Sequence, residues 1–300
     1  MKKILLFGKN GQVGWELQRS LSPLGKLIAV DSNSQDLCGD FTNLAGLTKT
    51  IRTLSPDIIV NAAGYTAVDK AESEPDLVRA VNAIAPGLLA QESKLINASF
   101  IHYSSDYVFD GSGFDAHVES DNPEPLNIYG ATKLEGEQLI QQSGCRHLIF
   151  RTSWVYSSRG GNFAKTMLKL AQERDSLCVV NDQIGAPTGA DLIADVTAHA
   201  IRDTLLKPEL FGLYHLAAAG ETSWYGYANF VLDFARRMGI TLKVGPDAIQ
   251  PVPSSAYAAA ATRPNNSRLN TTALENAFGL YLPNWQVGVA RMLAETLDKR

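Results

Sequence analysis

The chain has 300 residues, 45% hydrophobic and 19% charged, enough for one large domain or for a large one with a smaller partner. A formal net charge of -4 excludes any general electrostatic attraction to nucleic acid or to an anionic membrane, so a phosphate-bearing ligand has to be held by oriented amides or a few placed Arg and Lys. The cysteines, Cys38, Cys145 and Cys178, are odd in number and far apart, which excludes a disulfide framework and a zinc site and fits a reducing compartment.

The opening Met1-Lys2-Lys3 leads into the apolar Ile4-Leu5-Leu6-Phe7, which stops at Gly8-Lys9-Asn10, too soon for a secretory leader. No run approaches the ~20 apolar residues of a membrane span. The expected location is the cytoplasm. Residues 3–7 read as a buried parallel strand and 13–20 as a helix. A second strand follows at 27–30, a helix at 44–54, and a strand at 57–61 carrying Ile58, Ile59 and Val60. A helical stretch at 74–94 leads to a strand at 100–104, a helix at 134–142 and a strand at 148–152.

Strands alternating with helices predict an α/β fold, a Rossmann-type doubly wound parallel sheet covered on both faces. After Ser157 the rhythm is less regular, and glycines and prolines gather at 185–189 and 251–264. The expected division is a dinucleotide-binding domain over 1–157, joined again by 190–216, and a smaller, mainly C-terminal substrate-binding cap over 158–189 and 217–300. Trp224, Tyr225 and Tyr227 read as cap packing after a helix N-cap at Thr222 or Ser223. Residues 256–261 read as a loop that closes on the ligand, and 285–297 as an amphipathic helix against the body or a second subunit.

Gly8, Gly11 and Gly14 stand at GxxGxxG spacing between the first strand and first helix. A dinucleotide site needs small residues there, for a tight turn, a close approach to pyrophosphate and close helix packing, with helix N-terminal amides facing the phosphates. A glycine-rich turn alone is a weak signal; its place in the first βα unit strengthens it. Asp31 ends the second strand where an acid binds the adenosine ribose, which favours NAD over NADP, although Ser32, Asn33 and Ser34 tolerate a phosphate. Asp40 and Phe41 are placed to cover the adenine, and Ala62 and Ala63, with Tyr65 following, let a flat cofactor approach.

Tyr129 and Lys133 are four apart, which on a helix sets both on one face. An ammonium beside the phenol is expected to lower its pKa, and hydride delivery to a carbonyl carbon needs a proton donor for the oxygen. Ser105, on the hydroxyl-rich strand end Ser104-Ser105-Asp106, is placed to bind the same oxygen. The five histidines show no metal spacing and read as strand or surface residues. Ser104-Ser105 is not a GxSxG elbow, which argues against a hydrolase.

These elements resemble the extended short-chain dehydrogenase/reductases. Asn61-Ala62-Ala63-Gly64-Tyr65 with Val68, Ser105-Asp106-Tyr107, Pro125 to Gly130, Arg151 to Tyr156, Asp182 to Thr188 and Arg263-Pro264 narrow the resemblance to the dTDP-4-dehydrorhamnose reductase family, over nearly the whole chain. The resemblance implies an oxidoreductase of dTDP-rhamnose biosynthesis that uses NADPH or NADH to reduce the 4-keto group of the nucleotide sugar dTDP-4-dehydrorhamnose to dTDP-L-rhamnose, which would supply lipopolysaccharide. It implies Tyr129 as proton donor, Lys133 lowering its pKa and holding the nicotinamide ribose, and Ser105 on the keto oxygen. By position Asn10, Gln12 and Val13 join the loop glycines and Asp31 on the cofactor. Val68, Tyr107 and Trp154 line the sugar pocket, with Arg263 on the diphosphate. The family often carries threonine where this chain has Ser105. Some relatives are dimers that share magnesium through acids. Glu16, Asp191 and Glu295 fall at those places, Asp191 in place of a longer glutamate, and ordinary surface acids are the competing reading. Other readings are a different nucleotide-sugar reductase or epimerase, and a non-catalytic regulatory subunit that keeps the cofactor fold.

Overall fold

The structure, a computed structural model, describes residues 1–298. Six strands form one parallel sheet: β1 (Lys2–Phe7), β2 (Gly25–Val30), β3 (Ile58–Asn61), β4 (Ser99–Ser105), β5 (Arg146–Thr152) and β6 (Gly212–His215), in the order β2-β1-β3-β4-β5-β6. The chain leaves β1 for one side and then crosses to the other. This reversal opens a crevice at the carboxyl ends of β1 and β3, where open α/β sheets take their ligands. The sequence expectation of a Rossmann-type doubly wound sheet holds.

Both faces of the strands are apolar because both are covered. Ile4, Leu6, Ile58, Val60, Ile101 and Leu148 face one side, against Leu17 and Leu21 of the helix Gln12–Leu21 and Ile193 and Ile201 of the helix Ala190–Leu206. Leu5, Phe7, Ile59, Phe100 and Ile149 face the other, against Leu47, Leu89 and Ile140 from the helices Leu44–Leu54, Ala85–Leu95 and Ile128–Gln142. A third core joins the helices Phe163–Glu173, Trp224–Arg237 and Trp285–Leu297 through Met167, Tyr227, Val231, Val289 and Leu293. Residues 217–300 are expected in the cap, but the helix Thr272–Phe278 rests on the sheet. Its Leu274 and Phe278 are buried with Leu148, and Phe278 meets Tyr214 of β6 edge-on, ring centroids 5.2 Å apart.

The expected single helix over 74–94 is three segments: Pro75–Arg79, a π-helical turn Ala80–Ile84, and Ala85–Leu95. Pro86 has no N–H to return to the carbonyl four residues back, and the amide of Ala85 bonds instead to Ala80, five back. The widened turn carries buried Asn82, whose side chain accepts from the Tyr65 amide (2.9 Å) and donates to the Tyr65 carbonyl (3.0 Å). A proline in one helix thus fixes the loop after β3.

Behind the sheet's edge lies a buried ion pair. Arg151 of β5 donates to both oxygens of Glu137, with Nη2 to Oε2 at 2.7 Å, and the two side chains are only 4% and 2% exposed. Removing one partner strands a charge in the interior. Glu137→Leu is expected to cost about 3–5 kcal/mol of unfolding free energy, and adding Arg151→Met should recover much of it. Urea unfolding of both variants checks this, and a Glu137→Leu protein as stable as the parent would contradict it.

Candidate active site

The glycine-rich loop after β1 is built by steric necessity. Gly8 has φ +83°, and a Cβ there would lie 2.6 Å from the backbone of Ala62 and Ala63. A Cβ on Gly14 would lie 2.0 Å from the Gly8 carbonyl oxygen. The Gly8 amide donates to Val30 (2.9 Å) and the Gly11 amide to Gly8 (3.0 Å), which folds the loop over the ends of β1 and β2. Gly11 caps the helix Gln12–Leu21 without any side-chain hydrogen bond, so the amides of its first turn stay available to an anion. Gln12 Oε1 is buried without a partner beside them, and Val13 packs on the sheet.

At the end of β2, Asp31 is bonded by Asn10 Nδ2, by the Asn33 amide (3.1 Å) and by the Ser34 hydroxyl (3.0 Å). Slight burial raises its pKa, but these bonds and the charge of Lys9 outweigh it and hold the carboxyl below its ordinary value. Lys9 Nζ also donates to Ser34 at 3.3 Å. A carboxylate and an ammonium therefore share the Ser34 hydroxyl at this strand end. Asp40 accepts from the amide and hydroxyl of Thr42 at 2.9 and 2.8 Å. Phe41 departs from its expected role. It is 5% exposed and its ring packs edge-on against Phe7, so it covers the core, and only its backbone is left for an adenine. Tyr65 likewise turns its hydroxyl to Glu74 (2.7 Å), while Ala62 and Ala63 lie against Gly8.

Ser105, Tyr129 and Lys133 come together at the carboxyl end of β4. The helix Ile128–Gln142 begins earlier than expected and carries both Tyr129 and Lys133, because Asn127 caps it with Oδ1 accepting from the Gly130 amide at 2.8 Å. Ser105 hydrogen-bonds toward the Tyr129 phenol, donates to Asp106 Oδ1 at 3.0 Å and accepts from the Tyr107 amide at 3.1 Å. Burial pushes Asp106 up to about 6, with Ser267 and Ser105 pulling it down.

The expectation that Lys133 lowers the tyrosine pKa is not met. Burial pushes Tyr129 up to about 12, opposed by Ser105 and reinforced by the charge of Asp106. The amine of Lys133 is instead engaged behind the tyrosine, donating to the Tyr103 carbonyl at 2.5 Å and standing 3.3 Å from His102 Nε2. His102, set aside in the sequence as a strand histidine, is thus in contact with the lysine. Nothing in its spacing signals this, because the contact is made across β4 and the neighbouring helix.

The substrate side is aromatic. Tyr107 meets Tyr129 edge-on at 5.5 Å, and half-buried Val68 opens the short helix Val68–Ala71. Trp154 has φ +49°, a left-handed backbone that a tryptophan seldom adopts, and its ring stacks on Trp224 with centroids 3.6 Å apart and planes 13° from parallel. Trp224, read from sequence only as cap packing, therefore backs the Trp154 ring, held in turn by Gln183 at 3.1 Å. Arg263 pairs with Asp69 at 2.6 Å and hydrogen-bonds Tyr107, while the amide of Ala261 reaches Asp69 at 3.2 Å. Asn127 also donates to the Thr262 carbonyl at 2.7 Å, tying the cap loop to the catalytic helix.

Glu16, Asp191 and Glu295 line one surface pocket with Arg19 and Arg291. Arg19 lies 3.5 Å from Glu16, and Arg291 lies 3.8 Å from Asp191 and 3.3 Å from Glu295. Each carboxylate already faces a guanidinium, and among the described residues no group of three or more His, Cys, Asp or Glu is placed to hold a metal ion. Within the single chain these acids are therefore paired with arginines, as the competing reading of ordinary surface acids expects.

The family described as the RmlD substrate binding domain matches residues 1–297. The chain is 57% identical over 292 residues to the dTDP-4-dehydrorhamnose reductase of Escherichia coli strain K12, covering 97% of each. Among solved structures it is similar to dTDP-4-dehydrorhamnose reductase from Bacillus anthracis in complex with NADP, at 35% identity and TM-score 0.87, over 98% of this chain and 99% of that one. It is also similar to a dTDP-4-dehydrorhamnose reductase from Clostridium acetobutylicum, at 33% identity and TM-score 0.89, with the same coverage.

The loop geometry yields a direct test. In Gly14→Ala the new methyl meets a backbone carbonyl that cannot move aside, so the variant should weaken binding of a reduced nicotinamide dinucleotide at least about tenfold, roughly 1.4 kcal/mol. Fluorescence titration checks it, with circular dichroism to confirm the fold. Unchanged affinity would remove this loop from the phosphate-binding assignment.

Proposed function

Because the chain belongs to the RmlD substrate binding domain family, we propose that it is an oxidoreductase that reduces the 4-keto group of dTDP-4-dehydrorhamnose with NADPH or NADH, giving dTDP-L-rhamnose. The observation that carries this reading is the 57% identity, over 97% of both chains, to a dTDP-4-dehydrorhamnose reductase. The glycine cradle and the free amides of the helix N-terminus fit a dinucleotide, whose pyrophosphate would lie along Gly8, Asn10, Gly11, Gln12, Val13 and Gly14 and whose adenosine ribose would meet Asp31. When bound, the cofactor supplies hydride to the carbonyl carbon.

The residues of the chain supply the rest. Ser105 orients the keto oxygen by turning to it the one hydroxyl proton now donated to Asp106, while the Tyr107 amide holds the Ser105 oxygen in place. Tyr129 donates the proton that this oxygen requires as it gains charge. A pKa near 12 keeps the phenol protonated before reaction, which is the state a donor needs. Lys133 stands behind it and returns the proton. Val68, Tyr107 and the stacked Trp154 form the wall against the sugar, and Arg263 takes the diphosphate by exchanging its bond to Asp69 for one to phosphate. No step passes through magnesium. No described helix is long and apolar enough to cross a membrane. The finer readings, a cytoplasmic homodimer whose product serves lipopolysaccharide synthesis, belong to the same proposal and rest on the family resemblance.

The test is NADPH oxidation by the purified protein with the 4-keto sugar nucleotide generated in situ, NADH in parallel, each with and without EDTA. The expected outcome is oxidation that yields dTDP-L-rhamnose and is unaffected by EDTA. Tyr129→Phe should keep cofactor affinity and lose about 10²–10⁴-fold in kcat. Unchanged turnover in that variant would overturn the proton-donor role. Cofactor binding without oxidation would favour the regulatory-subunit reading.

A further inference from the structure

Behind the proposed site lies a row of buried polar side chains whose hydrogen-bonding capacities do not all match. Asn61, His102 and Lys133 are 1%, 1% and 5% exposed. Asn61 Oδ1 accepts from the backbone amide of Ala63 at 2.9 Å, and a backbone amide can only donate, so the side-chain amide has one orientation. Its Nδ2 therefore donates to His102 Nδ1, 3.0 Å away. An uncharged ring whose Nδ1 accepts must carry its proton on Nε2, and Nε2 faces Lys133 Nζ at 3.3 Å. An ammonium has three donors and no acceptor, whereas a neutral amine has a lone pair to receive this N–H.

The two alternatives are worse. A proton on Nδ1 would set two donors, His102 and Asn61, against each other. Turning the Asn61 amide to relieve that would set its nitrogen against the Ala63 amide. We propose that His102, held in its Nε2–H form by Asn61, is a positioning residue that turns a donor toward Lys133 and lowers the proton affinity of that lysine.

The surroundings agree. Burial, then the charge of Lys133, keeps His102 well below its ordinary value and so uncharged at neutral pH. Burial brings Lys133 down to about 8, with Glu137 acting in the opposite direction. The titratable and charged groups about the amine are His102 from β4, Tyr129 and Glu137 on its own helix, and Arg151 from β5, which engages Glu137. With Glu137 tied to Arg151, the group that bears on the amine from across the sheet is the histidine. The consequence is a lysine able to release a proton near neutral pH, which suits a group that refills Tyr129. This inference deepens the proposed reaction, since Lys133 is one of its assigned groups, but its first test needs no turnover.

Nitrogen-15 NMR of the histidine-labelled full-length protein at pH 7, with the His102 signal assigned by its loss in His102→Gln, reads the tautomer directly. A protonated Nε2 and a bare Nδ1 are expected; an Nδ1–H ring or an imidazolium overturns the inference whatever the enzyme reduces. Asn61→Asp supplies the second arm. Its carboxylate can accept from both the Ala63 amide and His102 Nδ1–H, which moves the ring proton to Nδ1 and makes Nε2 an acceptor for the ammonium. The titration of Lys133, followed by NMR of its labelled side chain, should then move up from about 8 by about one unit or more. The alkaline fall in kcat should move up by the same shift, with little change in KM for the cofactor. A titration that stays in place in a folded Asn61→Asp protein would refute the coupling, and so would a rise without movement of the His102 proton to Nδ1, read by the same histidine label, since the new charge alone would then account for it. If that variant fails to fold, the tautomer of the parent decides. A parent that has the Nε2–H ring but does not turn over dTDP-4-dehydrorhamnose would count against the proposed reaction and leave the coupling standing.

Discussion

Taking a lysine amine out of water and setting it against a parallel sheet costs several kcal/mol unless the protein surrounds it with acceptors or takes its proton away. Around Lys133 it does both. The Tyr103 carbonyl accepts from the amine, Glu137 lies one turn along the same helix, and the histidine facing it favours the neutral form. Glu137 cannot remain unpaired at that depth, and the guanidinium of Arg151 reaches across from β5 to meet it. The interior thus holds a chain of mutually dependent groups from Asn61 on β3 to Arg151 on β5, and the register of β3, β4 and β5 must hold for any of them to meet.

That chain lies directly behind the carboxyl edge where the sheet reverses direction. The fold makes the edge a site by geometry alone, since every parallel strand ends there and the helix after β1 points its free amides into the crevice. The cap adds what a sheet edge lacks, an aromatic wall. Its placement is enforced at several points: the Trp154–Trp224 stack, the Asn127 bond to Thr262, and the Asp69 bonds to Arg263 and Ala261. Asn127 links the two parts directly, because one side-chain amide caps the helix of Tyr129 and Lys133 and holds the cap loop.

What could be read from the sequence was what local spacing determines. The glycines at three-residue intervals, the tyrosine and lysine four apart, and the runs of apolar residues at β1 and β3 each follow from backbone geometry over a few residues, and the parallel sheet and the Ser105–Tyr129 meeting followed from them. Residues whose role is set by distant partners stayed hidden. His102 carries no motif, and a lone histidine in an apolar strand reads as filler. Phe41 looked free to cover an adenine until the β1 core claimed it. The acids at 16, 191 and 295 met in one pocket, but Arg19 and Arg291 arrived with Glu16 and Glu295 at helical spacings the sequence offered, whereas the approach of Arg291 to Asp191 comes only from the fold.

The tyrosine offers the most instructive failure, because the expected mechanism of tuning has the wrong sign here. A phenol four residues from a lysine was expected to be acidic, but burial dominates and raises it to about 12. For a proton donor this is no defect. The keto oxygen acquires its charge only as hydride arrives, so the donor must be protonated before the reaction and acidic only relative to the alkoxide that forms. A high resting pKa satisfies the first condition, and the alkoxide satisfies the second by being the stronger base. The group that benefits from tuning toward neutrality is the one that restores the proton afterwards, the role proposed for Lys133, whose pKa is brought down to about 8.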